Sequence, residues 1–239
     1  MCGRYTYKLT WEQIVNLYRL TLPEQPPEKL RPNYNVAPTH VMPIVRPSGN
    51  GREAVLAGWG LIPFWMKPDK LAKQAYATFN ARSDRIASAP TFREPFKKRR
   101  CLVPATGWYE WQKIAPSTSP KAGAGTKKPY HFRPTAEPFA FAGVYDVWNA
   151  DGKSNITSFS IVTTEAAPTT APYHDRMPLI LEEGQFDDWM RGPPELAAAM
   201  MKPYGGAVEI WPVGPEVGNV RNNRPELMEP LGQPAGEAS

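Results

Sequence analysis

The sequence predicts an α+β fold: a single domain of curved, mainly antiparallel, barrel-like sheets flanked by short helices. Two observations carry this. Proline supplies 28 of the 239 residues, against a background of about 5%; inside a helix it removes a hydrogen bond and clashes with the preceding turn, so long helices are excluded. Segments with strand patterning outnumber helical ones and do not alternate with them regularly, which argues against a doubly wound sheet. The domain is expected over residues 1–229, with a disordered tail over 230–239.

Thr10 and Gln13 form a capping-box pattern ahead of Trp11, Ile14, Val15, Leu17 and Tyr18, so a short helix is expected to end near Leu20. Four prolines between Leu22 and Pro32 favour an irregular connection, and Asn33–Pro38 reads as a surface loop. Strands are expected at Val41–Val45 and Ala54–Gly58, then a structured loop over Trp59–Trp65. A second helix should begin at Thr91, with Glu94 completing another capping pattern. Cys101–Pro104, Gly107–Ile114, Tyr130–Phe132, Phe139–Trp148 and Ile156–Thr163 are rich in β-branched and aromatic residues and read as strands. Between them, Ala115–Lys128 reads as a mobile hairpin loop. Leu179–Leu181 and Val208–Val213 complete the strands, and Phe186–Met190 and Pro194–Met201 the helices.

Lys and Arg exceed Asp and Glu by 28 − 23 = 5, a mild excess that permits an anionic partner without requiring one. No run approaches the roughly 20 apolar residues of a membrane helix. The opening MCGRYTYKLT lacks the apolar centre of a signal peptide, and Cys2 stands where myristoylation needs glycine. A cytoplasmic protein is expected. Cys2 and Cys101 are too few for a disulfide scaffold, and neither they nor His40, His131 and His174 show metal-ligand spacing. No metal or other cofactor is expected.

Cys2 is the sharpest feature. Removing Met1 would place an amine and a thiol in a 1,2 relation, a pair that closes a five-membered ring on an aldehyde; the plain alternative is a small residue that follows the start by chance. The amine has an ordinary pKa near about 8, so a nearby base would help it. Glu110, in Gly107-Trp108-Tyr109-Glu110-Trp111, should point away from Tyr109 and Trp111, and burial of that face would raise its pKa. A solvent-facing Glu is the other reading. His174 lies at a loop-to-strand junction, suited to proton transfer or simply paired with Asp175. Asn80 and Arg82, two residues apart, share a face if extended and would suit a polar intermediate and a phosphate; a turn is the alternative. Arg93, Lys97, Lys98, Arg99 and Arg100 cluster at the second helix, while Phe64 and Trp65 offer rings for base stacking beside basic groups.

These residues fall within a recognisable set of ordered motifs: Met-Cys-Gly-Arg-Tyr at the start, Asn35-Val36-Ala37-Pro38, Asn80-Ala81-Arg82, Arg100–Ala105 with Gly107–Trp111, Ile161–Thr164, His174–Pro178 and Val217–Val220. The chain resembles the SOS-response-associated peptidase family, whose members sense abasic sites in single-stranded DNA. The resemblance implies catalytic roles for Cys2, Asn80, Glu110 and His174, and DNA contacts by Arg4, Asn35, Phe64, Trp65 and Arg82. It implies a crosslinking enzyme that acts as a monomer and closes a thiazolidine on the abasic sugar. An N-terminal-nucleophile hydrolase and a non-catalytic single-strand DNA-binding module are the other readings. The Ala115–Lys128 insert, and Met66 where some relatives carry a second Trp, depart from the family pattern.

Overall fold

The first strand, β1 (Tyr5–Tyr7), pairs on one edge with β2 (Asn33–Val36) and on the other with β7 (Gly107–Lys113). A computed structural model describes residues 2–21, 30–71, 78–114, 127–149 and 152–231. β7 continues to β8 (Lys127–Pro134) and β13 (Val208–Pro212), giving a five-stranded sheet in the order β13-β8-β7-β1-β2. The second sheet has eight strands: β3 (Val41–Ser48), β4 (Gly51–Trp59), β5 (Asn80–Arg82), β6 (Arg100–Pro104), β9 (Phe139–Trp148), β10 (Ile156–Glu165), β11 (Arg176–Pro178) and β12 (Ile180–Glu182). Pairing of β10 with β9 brings the path β10-β4-β3-β6-β9 back to its start. The result is a curved, partial ring. Pairing is antiparallel except where β10 meets β4 and β5.

Among the described residues four short helices flank the sheets: α1 (Trp11–Leu17), α2 (Arg93–Lys98), α3 (Phe186–Arg191) and α4 (Pro194–Met200). At α1 the expected capping box forms, with Thr10 Oγ1 accepting from Gln13 N at 3.2 Å and Gln13 Oε1 accepting from Thr10 N at 2.8 Å. At α2 it does not. The amides of Phe92 and Arg93 already donate to Ala89 O, so the preceding turn satisfies donors that a cap would serve, and Glu94 pairs with Lys97 and Lys98 instead. The expected loop at Asn33–Pro38 is in part strand β2, its asparagines bonding within the strand and to the chain's C-terminal segment. Lys127 and Lys128, assigned to the insert, begin β8; 115–126, and the tail from 232, lie outside the described residues.

The core lies between the sheets. Trp108 of β7 stacks on Phe132 at 5.0 Å and meets Phe141 of the second sheet edge-on at 6.0 Å; truncating such a ring costs about 3–5 kcal/mol. Tyr109 and Trp111 point the other way, into a smaller cluster with Val213, Val217 and Leu227. Gly107 makes this packing possible, because a Cβ there would lie 2.5 Å from His131 Cε1 and 2.6 Å from the Phe132 carbonyl. Among the described residues no helix is long and apolar enough to cross a membrane.

Candidate active site

Cys2 lies at the head of β1 and is fully buried. The β1–β7 register pairs Tyr5 with Trp108, and Tyr109 N donates to Arg4 O at 3.0 Å, so one further step sets Gly3 beside Glu110. Alternation turns Glu110 inward, as expected, to 4% exposure. From the second sheet, β5 pairs with β10 through Asn80↔Ile161, and Asn80 Nδ2 donates to the Cys2 carbonyl at 2.8 Å. Asn80 and Arg82 are thus extended, not in a turn. Asn80 Oδ1 is buried without a hydrogen-bond partner.

His174 is brought in by a loop tied to the first sheet. Tyr173 packs on Tyr130 at 4.6 Å and Phe132 at 5.3 Å, while Gln112 Nε2 donates to Pro172 O at 3.1 Å. In the sequence only a Tyr beside the His hints at these anchors. His174 Nδ1 faces both the Arg176 backbone N–H at 3.0 Å and the Asp175 carboxylate at 2.9 Å. One nitrogen cannot accept from the first and donate to the second in the same state. The backbone donor is fixed and the Asp175 side chain is 86% exposed, so we assign Nδ1 as the acceptor and the proton to Nε2.

Glu110, His174, Trp111, Lys113, Lys127 and Gly218 line one cavity of about 370 Å³. Burial raises the Glu110 carboxyl to about 7, with the chain's amino terminus pulling it back and Asp175 adding to the rise. Burial, and then the Glu110 charge, push the Cys2 thiol far above its usual range. Burial, followed by the amino terminus, holds His174 below its ordinary value despite Asp175. Among the described residues no group of three or more His, Cys, Asp or Glu side chains converges as a metal site.

The residues expected on DNA divide. Arg82 is exposed and held bidentate by Asp84 at 3.0 and 2.8 Å. Phe64 and Trp65 are half-exposed, at 51% and 50%, on the excursion that leaves β10's edge after β4 and returns at β5. Arg4 donates to Asn35 Oδ1, Val217 O and Gly218 O, with Trp111's ring 5.8 Å away. Asn35, expected at the DNA surface, is instead fully buried, its amide donating to the carbonyls of Val217, Asn219 and Asn222. Arg4 and Asn35 therefore fasten the 217–222 segment against the cavity. The basic cluster at α2 is also committed: Arg100 donates to the carbonyls of Phe96, Lys97, Trp189 and Gly192 and closes helix ends, and Arg99 pairs with Asp146.

The two sheets define a single-domain protein whose second residue stands at the edge of its core, between a carboxyl and an amide, with an imidazole on the carboxyl's cavity. The chain belongs to the SOS response associated peptidase (SRAP) family, whose model matches residues 1–220. It is 32% identical over 237 residues to the abasic site processing protein YoqW of Bacillus subtilis, covering 96% of this chain and 99% of that protein. It is 28% identical over 276 residues to the abasic site processing protein HMCES of Mus musculus, covering 96% of this chain and 76% of that one. A crystal structure from Bacteroides thetaiotaomicron superposes with a TM-score of 0.83 at 27% identity, over 96% of this chain and all of that one.

Proposed function

We propose that this chain recognises abasic sites in single-stranded DNA and closes a thiazolidine between Cys2, freed of Met1, and the opened sugar. The environment of Cys2 carries the reading. A thiolate that attacks first needs positive charge or a helix dipole to lower its pKa; at Cys2 burial and a carboxylate, which raise it, outweigh the amino terminus, which lowers it. Such a site favours amine first and thiol second, and disfavours the cysteine hydrolase. The names of the abasic site processing relatives support the same substrate.

Hydrolysis of the Met1–Cys2 bond exposes the α-amine, and Glu110, with its pKa near 7, accepts a proton from the ammonium. Asn80 holds the Cys2 carbonyl, and its Oδ1 is an acceptor for the new amine. His174 Nε2–H hydrogen-bonds to the departing ring oxygen as the sugar opens, and the proton of the anomeric hydroxyl ends on that oxygen. The amine adds to the aldehyde carbon, the carbinolamine loses water, and the resulting imine accepts the sulfur on carbon and the thiol proton on nitrogen. One water leaves overall. An imine drains electrons from the sugar and promotes β-elimination; the saturated ring removes that sink and protects the strand. Arg82 binds a phosphate, Phe64 and Trp65 stack on bases, and Arg4 adds positive charge beside Trp111. One copy of the chain completes the reaction without metal or cofactor, in the cytoplasm where the DNA is.

Intact mass after incubation with abasic single-stranded DNA tests this. The expected species is the chain without Met1 plus the oligonucleotide minus one water. Non-covalent binding alone would leave a binding module, and peptide cleavage without an adduct would leave the hydrolase.

A further inference from the structure

Lys113 and Lys127 stand directly opposite each other in the β7–β8 ladder, and both line the cavity that holds Glu110 and His174. Like charges facing across an antiparallel pair destabilise it. Neither lysine enters an ion pair among the described residues. The neighbouring Lys128 differs, its ammonium lying 5.3 Å over the Tyr130 ring. Among the described residues two exposed ammonium-bearing side chains thus face each other beside the cavity with no carboxylate paired to either, an arrangement that an anion between them would favour. Arg82 ends β5, two residues beyond the Asn80 that holds Cys2, and its partner Asp84 also meets Arg176 at 3.8 Å. Trp111 lines the same cavity.

Resting on the abasic-DNA reading, we infer that Lys113 and Lys127 together hold one backbone phosphate, on the Trp111 side of the abasic sugar and opposite the phosphate taken by Arg82. The strand then enters and leaves the site between two cationic clamps, with the reactive sugar at Glu110 and His174. Sharing of a single phosphate distinguishes this from two independent surface charges.

The test compares Lys113→Ala, Lys127→Ala and the double variant with the unchanged chain, titrating abasic single-stranded DNA at several salt concentrations and recording crosslink yield separately. The double variant is expected to bind about five-fold more weakly at low salt and to lose about 0.7 from the log–log salt slope, one phosphate's worth. Each single variant should lose part of that effect. Neutral methylphosphonates placed singly around the abasic residue should reveal one position at which double variant and unchanged chain bind alike. Unchanged affinity and slope in the double variant would overturn the inference, as would a loss that persists at every methylphosphonate position. Folding is controlled by melting, which should hold or rise as the repulsion is removed. If the unchanged chain forms no adduct, the functional reading fails; if it does and the lysine variants match it in binding, only the phosphate clamp fails.

Discussion

The side-chain amide of Asn80 donates a 2.8 Å hydrogen bond to the Cys2 carbonyl oxygen, so a three-residue strand of one sheet fixes the head of the other. Asn80→Ala deletes that bond, worth about 1 kcal/mol net, but also deletes a buried oxygen without a partner. The two effects oppose, and stability should change by less than about 1 kcal/mol. Crosslinking should slow much more, since the reacting residue loses its tether. Equal losses in denaturant stability and in rate would make Asn80 a packing residue only.

Glu110 gives a dated window in pH. Its carboxyl ionises near 7 in the fold and near 4.5 in the open chain, so the native state binds more protons between those values and stability falls as pH rises through them. Above pH 7 the cost of holding the charge is about 3 kcal/mol. Glu110→Gln should therefore be the more stable protein at pH 8 and lack the fall between pH 5 and 7, as urea unfolding at the two ends would read. Its crosslinking deficit should peak near pH 7 to 8. Below pH 6 the unchanged chain has also lost its base, and well above about 8 the amine needs none. A deficit constant across that range would assign Glu110 a structural role.

Burial of its face aside, the orientation of Glu110 followed from alternation in an aromatic strand, and the capping box of α1 from two residues three apart. Local rules sufficed there. They failed at Asn33–Val36, where asparagines usually mark a turn but Asn35 instead spends its amide on a segment 182 or more residues away. They failed also at Arg100, a residue of an evident charge cluster whose guanidinium is buried against helix carbonyls. Nothing in spacing tells a solvated arginine from one that caps a helix. The four candidate catalytic positions were each legible only weakly; their convergence required β1 to pair with β7 and β5 to reach across, contacts between residues 78 or more apart in the chain.

Arg82 is already occupied by Asp84, whose carboxyl the Arg82 hydrogen bonds hold at about 2. A phosphate must displace that carboxylate. Arg82→Ala should weaken DNA binding and reduce the salt slope by about 0.7, whereas Asp84→Asn should strengthen binding by releasing the guanidinium. Weakening by both variants would mark the pair as a tie that shapes the loop.

Trp65 has half its surface open, enough for one base to stack. Trp65→Ala should cost about 1–3 kcal/mol in affinity for single strands, with a smaller loss of stability than a core ring would give because half of Trp65 is already exposed. A neutral result would leave Phe64, which has Arg99 6.0 Å from its ring, as the stacking surface.

Cys2→Ala separates the two nucleophiles, because it keeps the N-terminal amine and deletes the sulfur. In the two-nucleophile mechanism the amine still condenses with the aldehyde, and Glu110 still serves as its base. The imine then has no internal trap. Borohydride should capture it as a stable secondary amine, while without reductant the exposed sugar should undergo β-elimination and the strand should break more often than with the unchanged chain. In the hydrolase reading the sulfur is the sole nucleophile, and neither imine nor extra cleavage is expected. Gel analysis with and without borohydride should thus show no stable adduct, a reductant-dependent adduct and increased nicking. A variant that leaves abasic DNA untouched under all three conditions would falsify the amine-first order, and an adduct that survives without reductant would show that the sulfur is not what closes the ring.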